Sequence, residues 1–228
     1  MIILLLTRSQ NRIALREGGF MPKGSPELTA ARKEEIINAC EQLYQTMSFK
    51  EITLREIGNV TSFTRTSIYN YFQTKEEIFL ALFKREYDRW NEDLQSILNE
   101  NEPLSRAQLA EKIAGSLAQR GQLLKLLAMN NYDMEANSRA ELLTSFKKSY
   151  GRSMELVTML VRKFVTDMNE EDVQNFIYIF FPFMFGIYPY AEVTQKQRTA
   201  MAEAGIDYVY QSVYELTYSC LIRLLGNE

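Results

Sequence analysis

The residues best equipped for chemistry in this chain lie between Thr53 and Lys75, and the chemistry they suit is hydrogen-bond donation to polyanions. Thr64, Arg65, Thr66, Ser67, Tyr69, Asn70 and Tyr71 share one outward face of a short helical stretch. Short hydroxyls, a guanidinium and phenols can donate to phosphate oxygens and read the edges of bases. Ile57, Val60, Phe63, Ile68 and Phe72 are the apolar positions that would pin two short helices together at a steep angle, with Gly58 small where they approach. That is the arrangement of a helix-turn-helix, in which the second helix enters a major groove and the first lies across the backbone.

Other chemistry has little to stand on. The chain has no histidine, which removes the commonest general base. No glycine loop for phosphates, no Ser-His-Asp set and no metal-ligand spacing is present, so no enzyme activity, cofactor, metal or catalytic residue is expected. Carboxylates such as Glu34, Glu35, Glu170 and Asp172 read as helix-face and cap residues. The two cysteines, Cys40 and Cys220, form no disulfide framework, and a reducing cytoplasm is the simple expectation. A net charge of −3 argues against non-specific coating of nucleic acid but leaves room for a local basic surface.

The elements that must position the Thr53–Lys75 stretch are helical. Ile36, Ile37, Cys40, Leu43, Tyr44 and Met47 recur at spacings of three and four and define one face of a first helix. Thr53 and Glu56 have the form of a capping box for a helix over about 53–60, and a second short helix is expected over about 64–71. From Thr74 a long helix carries Ile78, Phe79, Leu82, Phe83, Tyr87, Trp90, Leu94 and Ile97 as its apolar stripe, ending near Asn99–Pro103. Further helices are expected over 105–118, 119–129, 138–167, 171–190 and 204–225. The sixteen uncharged residues from Phe176 to Ala191 are too short for a membrane span and are broken by Pro182, Gly186 and Pro189; a buried helix is the better reading.

The 228 residues, 46% hydrophobic and 24% charged, suffice for a small domain fused to a larger one. We expect an all-α fold of about nine helices: an irregular extension over 1–27, a helix-turn-helix domain over 28–76, and a helical domain over 77–228. The apolar start before Arg8, Arg12 and Arg16 has the wrong order for a secretory signal, and Met21 would make a natural start.

This pattern resembles the tetracycline-repressor (TetR/AcrR) family of bacterial regulators. The carrying residues are Ile68-Tyr69-Asn70-Tyr71-Phe72 followed by Lys75-Glu76, with Ile36 to Tyr44 and Phe49 to Thr53 upstream. Two positions depart from the family pattern: Gly58 stands where alanine is usual, and Ser62 where the turn usually has glycine. A turn with positive φ would be harder for serine.

The resemblance implies a cytoplasmic homodimer that binds a palindromic DNA operator and is released by a small apolar or aromatic effector. An architectural or cell-division factor of the same fold is the alternative. It implies that Tyr69 and Lys75 clamp phosphates, that Arg65, Thr66, Ser67, Asn70 and Tyr71 face the groove, and that Thr53 and Arg55 contact the backbone or groove edge. Trp90, Tyr132, Met134, Phe146, Tyr150, Met154, Phe181, Met184 and Tyr188 are the expected effector residues, although such side chains are more often plain core. The helices over 171–190 and 204–225 would form the dimer face, with Phe180, Tyr210, Tyr214, Tyr218, Leu221 and Leu224 in the seam. The helix from Thr74 would tilt on effector binding and change the spacing of the recognition helices.

Overall fold

The computed structural model describes residues 24–100, 102–129 and 131–226. The expectations for residues 1–20, and for most of the 1–27 extension, lie outside these described residues. Among them the fold is all-α, with eleven helices rather than about nine.

Side-chain caps set most helix starts. Ser25 opens α1 (Pro26–Thr46), Thr53 opens α2 (Leu54–Asn59), Thr64 opens α3 (Arg65–Ile68) and Thr74 opens α4 (Lys75–Leu98), each by accepting from a first-turn amide. Ser105 and Gln108 form a full capping box on α5 (Arg106–Ala118). The short helices α6 (Gly121–Leu127) and α7 (Asn131–Ala136) follow, then the long α8 (Ala140–Phe164). Asn169 caps α9 (Glu170–Ala191), whose acidic first turn suits the positive end of the helix dipole.

The final expected helix is split. Thr194 and Gln197 box the start of α10 (Gln195–Glu203), and Ser212 and Glu215 box the start of α11 (Val213–Leu225). Between them Gly205 takes φ +68. The Ile206 amide bonds back to Met201 O and the Gly205 amide to Ala202 O, both at 3.0 Å, the Schellman arrangement that ends a helix.

Helix α4 is the spine. It packs against α1, α5, α6, α7 and α8, while α11 packs on α5 and α9, and α6 on α9. Its expected stripe is buried throughout, from Ile78 to Ile97, and Trp90 is wholly enclosed with its indole N–H donating to Ser116 Oγ at 3.1 Å.

Helix α9 runs unbroken through Pro182 and Pro189, contrary to the interruption expected from them. Each proline removes one backbone donor and costs about 3 kcal/mol in a helix interior. Pro182, Gly186 and Pro189 all lie on the exposed side, where the freed carbonyls remain accessible, while Val173, Phe176, Ile177, Phe180, Phe181, Met184 and Ile187 face the core. No single helix among the described residues is long and apolar enough to cross a membrane.

Candidate DNA-binding interface

The tight approach anticipated at Gly58 is present. A Cβ added there would lie 3.3 Å from Phe63 O and 3.4 Å from Arg65 N, tighter than most side-chain contacts with backbone. Ile57, Ile68 and Phe72 are fully buried beneath the two short helices, and Phe63 is half-buried; Val60 is 44% exposed and does not pin them. The turn around Ser62 needs no left-handed residue, since no described non-glycine residue has positive φ. Instead the Ser62 amide donates to Glu35 Oε1 of α1 at 2.7 Å, so an α1 carboxylate holds the turn.

The outward residues sort into free and engaged groups. Arg55, Arg65, Thr66, Tyr69 and Asn70 are exposed. Arg65 Nη2 donates to the Tyr69 hydroxyl at 3.3 Å, and the guanidinium stands 6.0 Å from that ring, which aims the fork along the helix. Thr53 and Thr64 spend their hydroxyls as N-caps. The Glu56 carboxylate receives the Thr53 hydroxyl, so the expected box is only half-formed. Ser67 is half-buried, its Oγ 2.9 Å from that of Thr64.

Two expected DNA contacts have partners within the chain. Lys75 Nζ donates to Phe49 O at 2.8 Å and Ile52 O at 3.2 Å and lies 4.1 Å over the Phe49 ring. Its ammonium ties the start of α4 to the α1–α2 connection, so it does not stand free as a phosphate clamp. Tyr71 is half-buried, edge-on to Phe63, and its hydroxyl accepts from Arg32 Nη1 at 2.8 Å. Arg32 and Tyr71 thus wall a cleft of about 440 Å³ with Glu35, Ser67 and Asn70, between α1 and the recognition turn. Arg32 was not singled out from sequence, because nothing local to α1 distinguishes it from other surface basic residues.

The module is joined to the larger domain by two clasps that sequence reasoning missed. At the start of α4 the Glu77 carboxylate, 1% exposed, accepts from the Gln73 amide at 2.7 Å and from Arg139 N, Nε and Nη2 at 3.2, 2.7 and 2.8 Å. Arg139 Nη2 also donates to Tyr71 O, and Thr74 Oγ1 to Asn137 O at 3.0 Å. Burial pushes the Glu77 carboxyl up, but the bonds from Arg139 and the Gln73 amide outweigh it and hold the group below the usual range. At the other clasp Lys125 Nζ donates to Tyr44 O and lies 4.0 Å over the Tyr44 ring, while the Tyr44 hydroxyl lies 2.9 Å from Met129 Sδ. Burial lowers the Lys125 pKa and raises that of Tyr44.

In the larger domain the expected effector residues do not share one open cavity. Trp90, Met134, Phe146, Phe181 and Met184 are buried in the core, Tyr150, Met154 and Tyr188 are half-buried, and Tyr132 is 86% exposed and faces solvent. Phe83, Tyr87, Phe146, Tyr150, Phe181 and Trp90 form a continuous chain of ring contacts with centroids 4.8–6.2 Å apart. Beside it Asn91 Nδ2 donates to Ser149 O at 3.0 Å, while Asn91 Oδ1 is buried without a partner.

The expected dimer seam is also revised. Phe180 and Leu221 are fully buried within the chain and face its own core. Tyr210 lies outside α11, against Tyr208 and under Arg198. Tyr214 and Tyr218 stack with ring planes 8° apart, Tyr214 on the exposed side, and Leu224 is half-buried. The exposed apolar stripe of α9 is Tyr178, Ile179, Pro182, Phe185, Pro189 and Tyr190, which sequence could not separate from the buried face because both are apolar.

Residues 36–82 match the family described as "Bacterial regulatory proteins, tetR family", and residues 84–213 match "Tetracyclin repressor-like, C-terminal domain". A curated relative, the HTH-type transcriptional repressor Rv1474c of Mycobacterium tuberculosis (strain ATCC 25618 / H37Rv), is 26% identical over 69 residues, covering 30% of this chain and 37% of that protein. The alignment therefore spans well under half of the relative. The fold is similar to that of the fatty acid degradation regulator FadR from Bacillus halodurans, with TM-score 0.56, 16% identity, and coverage of 90% of this chain and 97% of that one. It is also similar to Thermus thermophilus FadR, a TetR-family transcriptional repressor solved with lauroyl-CoA, with TM-score 0.57, 16% identity, and coverage of 85% and 93%. With both halves of the chain matched and the helix-turn-helix in place, the chain belongs to the tetR family of bacterial regulatory proteins.

Proposed function

We propose that this chain is a sequence-specific DNA-binding transcriptional regulator, a homodimeric repressor that a small effector releases from a palindromic operator. The observation that carries the reading is the exposed set Arg65, Thr66, Tyr69 and Asn70, presented on α3 and the turn that follows it, which the Gly58 approach and the Thr64 cap fix in place. Arg65 reads a base, because its forked donors fit guanine O6 and N7. Arg55 and Tyr69 position the module on phosphates, and Arg32, at the mouth of the α1 cleft, joins them.

Residues 28–76 form the DNA-binding domain and 77–228 the effector and dimerisation domain, with α4 crossing the boundary. The protein works in the cytoplasm as a regulator without catalysis. Dimerisation uses the outward faces of α9 and α11, since a palindrome is read by two recognition helices about 34–36 Å apart. The effector is apolar or aromatic and opens the ring chain between α4 and α8, where Asn91 Oδ1 offers an acceptor. A ligand wedged there displaces α8 relative to α4, and the Arg139–Glu77 clasp carries that displacement to the recognition turn. That the Thermus thermophilus regulator of this fold was solved with lauroyl-CoA supports an apolar ligand of some length.

Selection of bound sequences from random duplex DNA tests this reading. It predicts a two-fold symmetric consensus with half-sites about one helical turn apart. Enrichment of no consensus, with binding that depends on salt alone, would contradict it.

A further inference from the structure

Helix α10 is unlike every other long helix of the fold: none of its residues is buried. It leaves the end of α9 at 83°, and the chain returns to α11 through Ile206, Val209 and Tyr210, with Ile206 and Val209 exposed. The arm is capped at both ends and touches its own protomer only along one side, through Arg198 on Tyr210 and the cleft beside Pro189 and Tyr190, so Ile206 and Val209 stay exposed. At the opposite end of α9, a groove of about 490 Å³ runs between α8 and α9, lined by Met154, Thr158, Glu171, Gln174, Ile177 and Tyr178.

We infer that the arm over 193–212 reaches across the dimer and docks in the α8–α9 groove of a second copy of this chain. The inference rests on the proposed dimer through the outward face of α9. The apolar stripe of that face runs from Tyr178 to Tyr190, so its middle is near Met184. A two-fold axis there, with the helices antiparallel, sets Tyr190 across from the partner's Tyr178 and brings the start of α10 level with the partner's Gln174, Glu171 and Glu170. Charge selects this direction. Lys196 at the start of α10 meets the acidic first turn of the partner's α9, whereas parallel pairing would set Glu170, Glu171 and Asp172 against their own copies. Ile206 and Val209 then cover the groove floor at Ile177 and Tyr178 of the partner subunit.

Site-directed cross-linking tests the arm separately from the dimer. In a Cys220→Ser background the remaining Cys40 is buried, and Gln174→Cys with Lys196→Cys supplies the reactive pair. Within one chain these sites are separated by most of α9, about 27 Å from residue 174 to the helix end, so a short bis-maleimide can bridge them only between copies. The expected result is a covalent dimer from the double variant and none from either single variant. A dimer by sedimentation that gives no cross-link overturns the arm and leaves the dimer standing; a monomer by sedimentation overturns both. As a second readout, Lys196→Glu should weaken dimerisation roughly fivefold, since the contact occurs twice. Adding Glu171→Lys should restore it, and further weakening in that double variant would overturn the pairing.

Discussion

Glu77→Ala is the substitution whose consequences follow most fully from the geometry. The carboxylate accepts four hydrogen bonds, from the Gln73 amide and from three nitrogens of Arg139, and is almost completely enclosed. Removing one partner of a fully buried ion pair costs about 3–5 kcal/mol. Arg139 has side-chain exposure of 36%, so its guanidinium can return to water, and the cost falls to about 2–4 kcal/mol, mostly from stranded donors. For a chain of this size that lowers Tm by about 6–12 °C, measured at fixed protein concentration because the proposed dimerisation would add its own stability. The loss must depend on pH. The folded carboxyl sits below its unfolded value, so its stabilisation is complete above about pH 4.3 and fades as pH falls through the lower folded value. The gap between wild type and Glu77→Ala in urea titrations should therefore narrow in acid. A loss below about 0.5 kcal/mol at neutral pH, or a difference that persists unchanged into acid, would refute the reasoning.

Arg139→Lys keeps the charge but loses the fork across Glu77 and Tyr71, and should cost about half as much as Glu77→Ala in the same titration. Lys75→Ala should destabilise the DNA-free protein by about 1–3 kcal/mol through the lost bonds to Phe49 and Ile52, seen by calorimetry; an unchanged Tm would return Lys75 to the phosphate-clamp role. Gly58→Val forces a branched side chain onto Phe63 O and Arg65 N, and should cost about 1–3 kcal/mol and weaken DNA binding by gel shift.

The helix-turn-helix was legible from sequence because its determinants are local. Caps at Thr64 and Thr74, the small Gly58, and Ile57, Ile68 and Phe72 all act within a few residues of one another. What escaped depends on distance or on featureless patterning. Glu77 looks like one more acid in a first turn until Arg139, 62 residues away, closes on it. The motif alone marks Lys75 and Tyr71 as DNA contacts, and only the fold reveals their partners within the chain. Along α9 the apolar residues surround the helix, so no periodicity separated Phe180, which faces the core, from Tyr178 and Ile179, which face out. The break before α11 had a visible signal in Gly205, whose positive φ ends α10, and the expected helix over 204–225 passed over it.

On the proposed reading, the face around Arg65 recognises DNA sequence. This is tested most directly by comparing wild type and Arg65→Ala on the selected operator and on a scrambled duplex at one salt concentration. The account predicts a loss of about 1–3 kcal/mol on the operator, roughly 5- to 150-fold, with a much smaller loss on scrambled DNA. Equal losses on both duplexes would show that Arg65 holds phosphate only, and would contradict the assignment of sequence readout to this helix.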